Sequence, residues 1–83
     1  MSFKRKDVIT FDDDKRVLVL DALVHDGIEY LYVNELLEND ELSDNYRILS
    51  ANYNDGTLES VENNEILKIL IDLFNDSLKK YDN

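Results

Sequence analysis

Two strongly apolar runs, Arg16–His25 and Ile28–Glu35, flank the dipeptide Asp26-Gly27 near the middle of the chain. Asp-Gly suits a turn whose backbone needs positive φ, so the stretch is predicted to be a β-hairpin. A two-residue loop sets its register: Leu20 opposite Val33, Ala22 opposite Leu31, Leu23 opposite Tyr30 and Asp21 opposite Tyr32. One face then carries Leu18, Leu20, Ala22, Val24, Leu31 and Val33. The other carries Val19, Leu23, Ile28, Tyr30 and Tyr32, interrupted by Asp21. The first face is the better core.

Shorter runs flank the hairpin. Val8–Phe11 is β-prone and is closed by the polar turn Asp12–Lys15. Leu36–Asp44 is acidic and reads as a loop with at most a single helical turn. Asn45–Tyr53 returns to strand character, and Asn54-Asp55-Gly56 turns the chain into a short strand at Thr57–Val61. From Asn63 to Tyr81 the apolar period lengthens from 2 to 3.6. Ile66, Leu67, Leu70, Ile71, Phe74, Leu78 and Tyr81 line one helical stripe, widened by Ile69 and Leu73. Asn63 or Asn64 can cap the start, and Glu65, Lys79 and Lys80 complement the helix dipole. Such a helix must bury its stripe, and the first hairpin face is the expected floor. The predicted fold is α+β: an antiparallel meander sheet of about four to five strands with a C-terminal helix packed on one face. Residues 7–83 form a single small domain behind a flexible basic tail, residues 1–6.

Composition supports one folded core. The 83 residues are 43% hydrophobic, and 5 Tyr and 3 Phe argue against disorder despite 34% charged residues. There is no cysteine, which removes disulfides, thiolate metal sites and cysteine nucleophiles and suits a reducing cytosol. No apolar run approaches the ~20 residues of a membrane span, so the cytoplasm is the expected location. Net charge is −10, and setting aside the +3 of Lys4, Arg5 and Lys6 leaves −13 on residues 7–83. That charge favours solubility and attraction to basic protein surfaces. It disfavours direct nucleic acid binding by the folded body, which needs cations against phosphates.

Candidate chemistry is sparse. The only histidine, His25, sits beside the hairpin turn with no nucleophile or substrate group in view, so an ordinary turn-flanking role is expected. Ser2, Ser43, Ser50, Ser60 and Ser77 stand in no nucleophile-elbow context. Asp12-Asp13-Asp14 invites a calcium reading, but the Gly and Glu of an EF-hand loop would fall on Val17 and Leu23. A solvated turn is expected there, with weak adventitious cation binding as the alternative. Gly27 and Gly56 are the only glycines, too few for a phosphate-cradling loop. No catalytic residue, metal ligand or cofactor is therefore expected. Two interaction surfaces stand out instead. Glu35, Glu38, Asp40, Glu41 and Asp44 could dock on lysines and arginines, or simply be solvated. Leu23, Tyr30 and Tyr32 could anchor a partner, unless another segment covers them.

The order of these elements resembles a known family. ITFDDD, VLDALVHDGIEYLYV, the acidic insert, YRILSANYNDGTLESV and NNEILKILIDLF together are similar to the YrzB-like family of small acidic bacterial proteins. The likeness spans residues 7–78 and is closest at Asp26, Gly27, Glu29 and Tyr30, at Tyr46–Ile48 and at Thr57–Glu65. The first turn, Asp14-Lys15-Arg16, departs from the family's acidic-Gly pattern, and the helix is less acidic. The resemblance implies a cytosolic bacterial or phage protein, a domain of unknown function with no assigned mechanism or catalytic residues. The expected function is a non-catalytic protein–protein interaction module whose partner has a basic surface. The alternative is a nucleic-acid-mimicking inhibitor of a DNA- or RNA-binding protein. The wide apolar circumference of the helix also fits a C2 homodimer.

Overall fold

The computed structural model describes residues 3–52 and 54–80. Five strands precede one helix: β1 (Val8–Thr10), β2 (Arg16–His25), β3 (Ile28–Leu36), β4 (Leu42–Asn52), β5 (Thr57–Ser60) and α1 (Asn64–Lys79). The strands form one antiparallel sheet in the order β1-β2-β3-β4-β5. The α+β meander with a C-terminal helix on one face is the architecture expected from the apolar pattern. Tyr81 of the anticipated helical stripe and Tyr53 lie outside the described residues.

Local chemistry accounts for each reversal of the chain. Asp26 and Gly27 both take positive φ, 52° and 79°, the conformation that matches a two-residue hairpin loop to the right-handed strand twist. The β1–β2 and β3–β4 turns share a different device. In the first, Phe11 donates to the Lys15 carbonyl at 2.8 Å, Asp14 donates to the Phe11 carbonyl at 2.9 Å, and the Lys15 N–H meets Asp13 Oδ1 at 3.1 Å. In the second, Leu37 donates to the Glu41 carbonyl at 2.9 Å, Asp40 donates to the Leu37 carbonyl at 2.9 Å, and the Glu41 N–H meets Asn39 Oδ1 at 3.2 Å. Asp14 and Asp40 each adopt φ 67°, a left-handed position that aspartate tolerates through its short polar side chain. The segment Leu36–Asp44 is therefore a tight turn running straight into β4, which corrects the looser acidic loop expected there.

The register corrects the assignment of faces. Asp21↔Tyr32, Ala22↔Leu31 and Leu23↔Tyr30 pair as expected, but the register shifts between Val19 and Asp21, and Val19 lies opposite Val33 in place of Leu20. This bulge puts Val17 and Val19, not Leu18 and Leu20, on the face shared by Ala22, Leu31 and Val33. Val17, Val19, Leu31, Val33 and Leu49 form one buried cluster, packed by Phe3, Ile9, Phe11, Ala22 and Leu58. Val24, anticipated in this core, is exposed. The helix lies on the opposite face, another correction: Leu70 and Phe74 pack with Tyr30 and Ile48, flanked by Leu23, Tyr32, Val61, Ile66 and Leu67. The inner face closes by curling of the sheet. Phe11 at the β1–β2 turn and Ser60 on β5 line the same hollow although they belong to opposite edges.

Residues 3–6 are part of this closure, where a flexible tail is expected from the sequence; residues 1 and 2 of that expected tail lie outside the described residues. Phe3 packs on the inner cluster, the Lys6 N–H donates to the Val19 carbonyl at 2.8 Å, and Arg5 Nε donates to the Leu20 carbonyl at 3.0 Å. The helix starts as its sequence dictates. Asn63 Oδ1 accepts the N–H groups of Glu65 at 2.9 Å and Ile66 at 3.1 Å, Glu65 stands in the first turn and Lys79 in the last.

Candidate functional site

The two matching turns lie at the same end of the meander, because each joins an odd strand to the next even one. They bring Asp12, Asp13 and Asp14 together with Glu38, Asp40 and Glu41 at one end of the sheet. Arg16 forms an ion pair with Asp40 and ties the two turns to each other. Glu35 meets Arg47 at 2.8 Å, and Arg47 also reaches Ser60 Oγ at 3.4 Å. Exposed pairs of this kind contribute about 0–1 kcal/mol each, so their main effect is to consume two carboxylates internally. Of the acidic residues singled out from the sequence, Glu35 and Asp40 thus have cationic neighbours. Glu38, Glu41 and Asp44 are exposed and, among the described residues, have no ion-pair partner.

Of the two readings of the tyrosine-bearing face, anchor for a partner or surface covered by another segment, the structure has the covered one, with the helix as the cover. Tyr30 is buried, and Leu23 and Tyr32 are half-buried against the helix cluster. Tyr32 is held between two rings, Phe74 at a centroid distance of 5.6 Å and Tyr46 at 5.7 Å. Burial, and secondarily the neighbouring Tyr46, pushes the Tyr32 hydroxyl above its ordinary pKa of 10.0.

Tyr46 is not among the candidate binding residues read from the sequence, and among the described residues it is the exposed aromatic, at 54%. The register pairs it with Asn34, one step along from Ile48, which lies opposite Tyr32. Alternation along Asn45–Tyr53 could have placed Tyr46 and Ile48 on the Tyr32 face. With Tyr32, Val61, Leu67 and Ile71 these residues line a groove of about 420 Å³ between β4 and the helix. Leu37 and Leu42, at the neighbouring acidic turn, are also exposed. Free carboxylates and uncovered apolar side chains therefore adjoin at the start of β4.

Elsewhere the polar groups serve the fold. Asp13 accepts a backbone N–H within its turn, and among the described residues no group of three or more His, Cys, Asp or Glu is arranged to hold a metal ion. His25 contacts Asp26 at 3.5 Å beside the Asp26-Gly27 turn. Asp21 is buried at the bulge, where one oxygen accepts the Ala22 N–H and the other, Oδ2, has no hydrogen-bond partner. Among the described residues no helix is long and apolar enough to cross a membrane. No family model, curated protein or solved structure matches the chain.

Proposed function

We propose that this chain is a non-catalytic interaction module of the bacterial cytoplasm that docks on a basic surface of another protein through the β3–β4 turn. One observation carries the reading: Glu38, Glu41 and Asp44 are exposed and, among the described residues, have no ion-pair partner, beside exposed Leu37, Leu42 and Tyr46. Unpaired carboxylates attract and orient a cationic partner, and adjacent apolar side chains supply area to bury once it has arrived. A net charge of −10 works against phosphate backbones and against other acidic proteins. The likeness to the YrzB-like family accords with this setting.

The test is affinity capture from a bacterial lysate over a salt series, with the wild-type chain and a Glu38→Gln/Glu41→Gln/Asp44→Asn variant side by side. A partner retained by the wild type at low salt, and lost by the variant or on raising the salt, is the expected result. Retention of nothing even at low ionic strength defeats the charge-driven reading. The twin acidic turns, which gather six carboxylates at one end, support a second reading as a nucleic-acid mimic. Duplex DNA separates the two, because a mimic's partner is released by DNA competing for the same groove.

A further inference from the structure

The edge of β4 is open over the half that β5 does not reach. Pairing between β4 and β5 runs from Asn52↔Thr57 to Leu49↔Ser60, and the last bond is from the Val61 N–H to the Ile48 carbonyl at 2.9 Å. That bond shows Ile48 turning its backbone groups outward, away from β3. In an antiparallel strand these groups alternate, so Tyr46 turns its N–H and C=O the same way. Among the described residues no strand lies beside it. An unpaired strand edge is a template for another extended chain.

We propose that β4, around Tyr46, accepts an extended segment of a partner protein as an additional antiparallel or parallel strand, and that this segment alternates basic with apolar residues. This deepens the function proposed above and rests on it. The alternation follows from what borders the edge. On the helix side, side chains of an added strand meet the largely apolar groove of Tyr46, Ile48, Leu67 and Ile71, which Arg47, its charge answered by Glu35 at 2.8 Å, also borders. At the turn end, the strand runs past Glu41 and Asp44, exposed carboxylates with no ion-pair partner among the described residues, which select cations. The same carboxylates argue against a second copy of this chain as the occupant. Paired antiparallel over the half of the edge that β5 leaves open, two β4 strands would set the Asp44 carboxylates of two molecules of net charge −10 each close together.

The probe is a synthetic, end-capped Lys-Val-Lys-Tyr-Lys-Val-Lys peptide, compared with a counterpart N-methylated at alternate residues so that its charge is kept and one edge of its backbone cannot donate. Binding to the intact wild-type chain is followed by amide NMR shifts and by titration. The expected result is saturable binding that perturbs the Tyr46 amide and weakens at least about tenfold on N-methylation. A Tyr46→Pro variant, which removes an N–H that faces away from β3, should abolish the effect while leaving the sheet's amide spectrum in place. Equal binding of both peptides, sensitive to salt, overturns strand addition while the charge-based function stands. Absence of peptide binding at low salt also overturns it, and lysate capture then decides separately on the proposed function. Sedimentation as a dimer with the Tyr46 amide already protected would assign the edge to self-association and overturn the proposal as well.

Discussion

Asn34 is fully buried on the central strand, and both ends of its side-chain amide are used. Nδ2 donates to the Ser43 carbonyl at 2.8 Å, and Oδ1 accepts the Ser43 N–H at 2.9 Å, where the β3–β4 register shifts between Asn34 and Leu36. The side chain thereby satisfies Ser43 where the regular pairing is interrupted. Asn34→Ala leaves a buried donor and acceptor without partners and should lower the unfolding free energy by about 2–3 kcal/mol, read from urea denaturation. Tyr32 sets a pH dependence whose direction follows from its raised pKa. The fold favours the neutral phenol, so this contribution is complete below the unfolded value of 10.0 and is lost as pH rises through the higher folded value. Tyr32→Phe should flatten the decline in stability above that pH, measured by thermal unfolding of both proteins across the alkaline range. Little of this residue-level detail is legible in the chain itself. Asp21 is visible there as an interruption of an apolar face, but Asn34 falls in a polar-looking Val33-Asn34-Glu35 step that gives no sign of a buried clamp.

At the level of elements, the helix and the Asp26-Gly27 hairpin were legible because each has an unambiguous local signal: a 3.6-residue period with an Asn cap, and a dipeptide suited to positive φ. The allocation of faces was not. Residues 17–20 read Val-Leu-Val-Leu, and four apolar residues in a row carry no phase, so a bulge at Leu20 cannot be seen in the pattern. The β3–β4 turn was missed for a different reason. Its sequence Leu-Glu-Asn-Asp-Glu matches Phe-Asp-Asp-Asp-Lys of the first turn in the features that matter, an acceptor at the third position and an aspartate in the left-handed fourth, but not in composition. The helix docks through Leu70 and Phe74, which are 0% and 2% exposed, while Ile69 and Ile71 are about half exposed. Phe74→Ala should therefore destabilise by about 3–5 kcal/mol, whereas Ile69→Ser, outside the contact, should stay within about 0.5 kcal/mol in the same denaturation assay.

For the whole molecule, the excess of 19 acidic over 9 basic residues was plain from composition, but the division into paired and unpaired carboxylates was not. Arg16–Asp40 and Glu35–Arg47 join residues far apart in sequence and need the folded meander to bring them together. Self-repulsion of a chain of net charge −10 should make the unfolding temperature rise as NaCl is increased from low to moderate concentration, since screening relieves more repulsion than the exposed pairs lose. A flat or falling midpoint over that range would mean that the ion pairs dominate. The central strand carries one further consequence. Leu31 and Val33 are buried on one side of β3 and Tyr30 on the other, so the strand has grease above and below it, and shifting it by one position merely trades one oily side for another. Correct alignment of the strands is then enforced by polar fasteners, the Asp-Gly reversal and the Asn34 amide, and weakening either should yield a mixture of misaligned sheets alongside the unfolded chain.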